Sequence, residues 1–102
     1  MLLVVDVGNT NFTFGVFQLD KLEATFRMTT KLQRTSDEYG ISIRDMLAHN
    51  GISYENVEDV IIASVVPNVM HSLLSAFIKY FDIHPVVVEP GIKTGIRIAT
   101  EN

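Results

Sequence analysis

The chain opens on an apolar run, Leu2-Leu3-Val4-Val5, that leads through Asp6 and Val7 into Gly8. Such an unbroken run predicts a buried strand over residues 2–7. Gly8-Asn9 reads as a two-residue hairpin turn, because both residue types tolerate positive φ. Strand two is expected over residues 10–18, with Phe12, Phe14 and Val16 on one face and Thr13, Gly15 and Phe17 on the other. Leu19-Asp20-Lys21 makes a short turn. Strand three, residues 22–29, sets Leu22, Ala24, Phe26 and Met28 against Glu23, Thr25, Arg27 and Thr29, one face buried and one wet.

The hydrophobic period then changes from two to about 3.6. Thr35-Ser36-Asp37-Glu38 fits a capping box, with Thr35 as N-cap and Glu38 at N3. Tyr39, Ile43, Met46 and Leu47 continue the helix, and Asn50-Gly51 closes it. Residues 59–66 form a continuous apolar run suited to an interior strand. Pro67 starts a second helix, striped by Met70, Leu73, Leu74, Phe77, Ile78 and Phe81. Pro85-Val86-Val87-Val88 makes a further short strand. Glu89-Pro90-Gly91 turns the chain, and Lys93-Thr94-Gly95 leads into a last strand start at Ile96-Arg97-Ile98-Ala99. The order β-β-β-α-β-α-β, with a further strand begun, predicts a mixed α/β sheet: three antiparallel strands, then helical crossovers to parallel neighbours. The last pattern has barely started at Asn102, so the expectation is one lobe of a longer protein.

Composition narrows the function classes. At 102 residues, 47% hydrophobic and 20% charged, the chain reads as one globular unit with a core of its own. Its eight Lys and Arg are scattered and the net charge is −4, which gives no electrostatic footprint for a nucleic acid. With no cysteine there is no disulfide framework and no thiol nucleophile. The opening residues lack the basic region and long apolar stretch of a signal peptide. No apolar run approaches the ~20 residues of a membrane span, so no membrane partner is expected.

The chemistry concentrates at residues 6–13. A carboxylate at the C-terminal end of a central strand stands where α/β proteins place ligands. Alone, Asp6 would repel a phosphate; with Mg²⁺ it would hold a nucleotide's metal. Gly8 allows close backbone approach, and Asn9, Thr10, Asn11 and Thr13 are uncharged donors. The alternative is an ordinary hairpin in which Asp6 caps its own turn. The residues alone leave both readings open. A haloacid-dehalogenase phosphatase would need a second acid where Gly8 stands. A P-loop is absent, since Lys93-Thr94 lacks the glycine-rich spacing. Asp37 and Glu38 read as capping residues, and Asp82 and Glu89 lie in turns. His49 suits a helix C-terminus, while His71 and His84 have no metal-ligand companions. Arg34 reads as a solvated loop residue, Met46 and Met70 as core, and Ser64 as a small packing residue without a nucleophile frame.

Asp6-Val7-Gly8-Asn9-Thr10-Asn11, with Gly15 seven residues after Gly8, resembles the first phosphate motif of the actin-like ATPase superfamily. More narrowly the chain resembles the N-terminal part of a type III pantothenate kinase. The residues that carry this are that motif, Arg34-Thr35 with Asp37-Glu38-Tyr39-Gly40, Ser64-Val65-Val66-Pro67, and Gly91-Ile92-Lys93-Thr94-Gly95. The resemblance implies a ribonuclease H-like lobe of a two-lobed kinase that phosphorylates pantothenate from ATP, the first step of coenzyme A synthesis. It implies a cytoplasmic homodimer needing Mg²⁺ and a monovalent cation, K⁺ or NH₄⁺. Asp6, Val7, Gly8, Asn9, Thr10, Asn11, Phe12 and Thr13 would then form the ATP-phosphate segment, with Asp6 at the metal. The family's Gly-Ala-Asp-Arg stretch, whose Asp accepts the proton, normally comes just beyond Asn102, so no catalytic base is expected within these residues. Thr100 stands where many members carry a Tyr near pantothenate, which weakens a substrate contact there. The 102-residue segment by itself is expected to be inactive. Some relatives are accessory factors that support transcription, which leaves a non-catalytic nucleotide- or partner-binding role as the alternative. A ribonuclease H-like nuclease would need several convergent carboxylates and a basic surface.

Overall fold

A computed structural model describes residues 1–30, 33–63 and 66–88. In chain order the elements are β1 (Leu2–Val7), β2 (Asn11–Gln18), β3 (Lys21–Thr29), α1 (Ser36–His49), β4 (Asp59–Ala63), α2 (Pro67–Phe81) and β5 (Val86–Val88), with a 3-10 turn at Tyr54–Asn56. The sheet runs β3-β2-β1-β4-β5, so β1 is its centre. β1–β2 and β2–β3 are antiparallel, while β1–β4 and β4–β5 are parallel, as the crossovers required. The expected β-β-β-α-β-α-β order therefore holds through β5. The turn at Glu89-Pro90-Gly91, Lys93-Thr94-Gly95, the strand start at Ile96, and Thr100 lie outside the described residues, as do Ser64 and Val65.

Leu3, Val5 and Val7 pair in register with Val16, Phe14 and Phe12, and Leu3 and Val5 also with Val60 and Ile62, so one face of the sheet is wholly apolar. All of these residues are buried, in one cluster with Tyr39, Ile43 and Leu47 of α1 and Val69, Leu73 and Phe77 of α2. Both helices thus cover the same face. Phe12 stacks on Tyr39 at 5.5 Å between ring centroids, fixing α1 over the hairpin end of the sheet. Burying a side chain such as Phe12 contributes about 2–3 kcal/mol.

Several boundaries and faces differ from expectation. The two loop residues of the first hairpin are Asn9-Thr10, not Gly8-Asn9, because Val7 still pairs with Phe12 and Gly8 N–H donates to the Asn11 carbonyl at 3.0 Å. Neither Gly8 nor Asn9 has positive φ. β3 starts at Lys21, and a bulge opposite Val16 and Phe17 shifts its register, so Leu22 pairs with Phe17 and is 49% exposed rather than joining the core. β4 is described over Asp59–Ala63, and Val66, the last residue of the strand predicted over 59–66, is instead the N-cap of α2. The buried stripe of α2 is Val69, Leu73, Ala76, Phe77 and Phe81, while Ile78 is 41% exposed. This helix packs on α1 as well as on the sheet, and that second neighbour rotates its contact arc.

Candidate functional site

β1, β3, β4 and β5 all run the same way, so their C-terminal ends share one edge of the sheet, together with the β1–β2 hairpin. Asp6 sits one residue from the end of the central strand. Thr13 pairs with it on one side and Ala63 on the other, and the row continues to Arg27 on β3 and Val88 on β5. Because side chains alternate, this row lies on the face opposite the helices. Asp6 is half-buried, and among the described residues nothing pairs with its carboxylate. Capping of its own turn, the plain-hairpin reading, is not observed.

The loop beside it is built by short bonds. Gly8 N–H donates to the Asn11 carbonyl at 3.0 Å, and a Cβ at Gly8 would stand 2.9 Å from that same oxygen. Asn9 and Thr10 are exposed at the tip. Their N–H groups meet no acceptor among the described residues. Val7 and Phe12 differ in kind: both are buried and hold the hairpin to the core from behind. The segment from Asp6 to Thr13 thus brings one free carboxylate, two hydroxyls, two side-chain amides and free backbone donors to one edge.

The sequence profile of the type III pantothenate kinase family matches residues 2–102. The chain belongs to this family. Over all of its 102 residues it is 58% identical to a type III pantothenate kinase of Agathobacter rectalis and 48% identical to one of Bifidobacterium longum. It spans 39% and 40% of those relatives' length. By fold it is similar to a ROK hexokinase from Thermus thermophilus, with TM-score 0.63 and 11% identity over 86% of this chain and 34% of that one. It is also similar to a putative N-acetylglucosamine kinase from Porphyromonas gingivalis, with TM-score 0.62 and 18% identity over 87% of this chain and 34% of that one. The chain therefore shares the fold of these kinases, in keeping with the expected ribonuclease H-like sheet.

The donor set suits a divalent ion held mostly by its ligand. No group of three or more His, Cys, Asp or Glu among the described residues could hold a metal by itself. Mg²⁺ is commonly held by one or two carboxylates plus substrate phosphates and water, and Asp6 supplies one such carboxylate.

Asp37 and Glu38 are engaged elsewhere. Asp37 accepts hydrogen bonds from Lys79 Nζ at 2.9 Å and from the Tyr80 hydroxyl at 2.7 Å. The Lys79 contact, then that of Tyr80, holds its carboxyl below the usual carboxylate range. Glu38 closes the capping box, accepting from Thr35 N–H at 2.7 Å while its own N–H donates to Thr35 Oγ1 at 3.1 Å. Asp82 is the left-handed C-cap of α2. Arg34 is half-buried, its guanidinium 5.5 Å from the Tyr39 ring centroid, a cation–π contact rather than a solvated loop position. His49, His71 and His84 are exposed. A groove of about 1140 Å³ between β3 and α1, lined by residues such as Thr29, Arg34, Asp37 and Asp45, contains none of residues 6–13.

One further residue at the hairpin carries almost no signal in the sequence. Thr30, just past β3, donates its N–H to the Thr10 carbonyl at 2.9 Å and its hydroxyl to the Gly8 carbonyl at 2.8 Å. The only hint is a Thr-Thr pair at a strand end, and its partners lie about twenty residues away.

Proposed function

We propose that the chain is the N-terminal lobe of a two-lobed type III pantothenate kinase that transfers the γ-phosphoryl group of ATP to pantothenate, giving 4′-phosphopantothenate. The observation that carries this reading is the half-buried, unpartnered Asp6 beside a tightly built hairpin, in a chain matched along its whole length to the family. Phosphoryl transfer depends mainly on positioning and charge stabilisation. Asp6 would hold the metal through its carboxylate, and the N–H groups of Asn9 and Thr10 with the Asn11 amide and Thr13 hydroxyl would orient the phosphates. Mg²⁺ bound there supplies positive charge that neutralises the transferring group. Val7 and Phe12 keep water from the back of the loop.

Asp37 and Glu38, the acids nearest the start of α1, are engaged within the fold. The proton acceptor is assigned to sequence beyond Asn102, and this lobe alone is inactive on this reading. K⁺ or NH₄⁺, cytoplasmic location and a homodimer come from the family resemblance and belong to the same proposal. No observation favours the accessory, non-catalytic alternative. The test is to incubate the full-length protein with Mg-ATP and pantothenate and identify products by mass. Stoichiometric ADP and 4′-phosphopantothenate are expected. ATP binding without any phosphorylated pantothenate would overturn the reading.

A further inference from the structure

We propose that Thr30 is a positioning residue for the ATP-phosphate hairpin, holding the loop so that it presents N–H groups rather than carbonyls to the nucleotide. The inference rests on the kinase reading only in naming the ligand; the contacts themselves are independent of it. A hairpin tip with two loop residues has soft backbone, and its carbonyl oxygens repel an anion while its N–H groups attract one. At this tip the carbonyls of Gly8, Thr10 and Asn11 are all taken, by Thr30 Oγ1, Thr30 N–H and Gly8 N–H respectively. Two of the three donors come from Thr30. A carbonyl can only accept, so the direction of the hydroxyl bond is fixed.

The consequence is a loop in which the Gly8, Thr10 and Asn11 carbonyls are tied up within the fold while the donors at Asn9 and Thr10 remain for a phosphate. Thr30 acts across the sheet, from the end of the third strand onto the loop between the first two. It fixes the loop before the ligand arrives, which lowers the ordering cost of binding. Thr30 is half-buried, and nothing places it in contact with the nucleotide itself.

The experiment uses the full-length protein with Thr30→Val, which keeps shape and strand preference but removes the hydroxyl, and with Thr30→Ser and Thr30→Ala. Mg-ATP affinity is read by titration calorimetry, KM and kcat by ADP release, and the fold by thermal melting. Thr30→Val and Thr30→Ala are expected to weaken Mg-ATP about tenfold and raise its KM likewise, the scale of one lost hydrogen bond plus loop ordering. The KM for pantothenate and the melting temperature are expected to hold, and Thr30→Ser to restore nucleotide binding. The inference is overturned by Mg-ATP affinity within about twofold of wild type in Thr30→Val. Equal loss for both substrates, failure of Ser to restore binding, or loss of the fold in both Val and Ala variants would overturn it too. Wild-type protein that binds Mg-ATP but phosphorylates no pantothenate, with Thr30→Val still about tenfold weaker, would refute the kinase reading and leave the role of Thr30 standing.

Discussion

Gly8 marks the tightest backbone of the hairpin. Any side chain there would push its Cβ to 2.9 Å from the Asn11 carbonyl oxygen, a backbone atom with little room to yield. That same oxygen accepts the Gly8 N–H, so displacing it loosens the bond that closes the loop. Gly8→Ala in the full-length protein is therefore expected to weaken Mg-ATP binding about tenfold, with a melting temperature lowered by only a few degrees; calorimetry and thermal melting check both. The sequence points to the right residue for a different reason. Positive φ is what the Gly-Asn pair predicts, and close approach is the reason found, because pairing of Val7 with Phe12 pushes the loop outward to Asn9-Thr10. Asp6, Asn9, Thr10, Asn11 and Thr13 are legible as a group because they are nearly contiguous. Thr30 is not, since only the folded sheet sets the end of β3 beside the first hairpin.

At the scale of elements, α1 is legible because its start is coded within four residues: Thr35 and Glu38 cap each other's backbone. Such a cap contributes about 1 kcal/mol. Asp37 and Gly40, in the first turns of the same helix, are explained by α2. Lys79 and Tyr80 both donate to Asp37, and a Cβ at Gly40 would lie 2.3 Å from the Tyr80 ring, so the two helices cross where only glycine fits. The partners stand about forty residues apart, which no local pattern reveals; the rotated stripe of α2 shares that cause. The Asp37 latch makes stability depend on pH. With its carboxyl held low by Lys79 and then Tyr80, Asp37 stabilises the fold above its unfolded pKa of about 4, and this is lost as pH falls through the lower folded value. Lys79 is pushed up by the hydrogen bond to Asp37, so its share is lost as pH rises through the folded value, in the alkaline range. Asp37→Asn is expected to lower the melting temperature by about 1–3 °C at pH 7, the scale of an exposed pair. The gap should close in acid below the folded pKa of Asp37; a gap that persists there would show that the latch contributes nothing.

For the whole molecule, the described strands and helices place one free carboxylate and a stiff hairpin at the edge where four strands end. The topology is legible because the switch in hydrophobic period from two to 3.6 and the Pro67 helix start fall between elements. The chain spans 39% and 40% of the length of two relatives. On the proposed two-lobe arrangement, this lobe grips the metal and phosphates while the remainder supplies the base and closes over the nucleotide. The central claim is that Asp6 holds the metal of ATP during phosphoryl transfer to pantothenate. Asp6 pairs with no described side chain, so its exchange for Asn leaves the packing intact. The most direct measurement is pantothenate-dependent ADP release by full-length Asp6→Asn beside wild type, with melting curves for both. A fall in kcat of at least about a hundredfold with an unchanged melting temperature is expected; turnover within about twofold of wild type would contradict the claim.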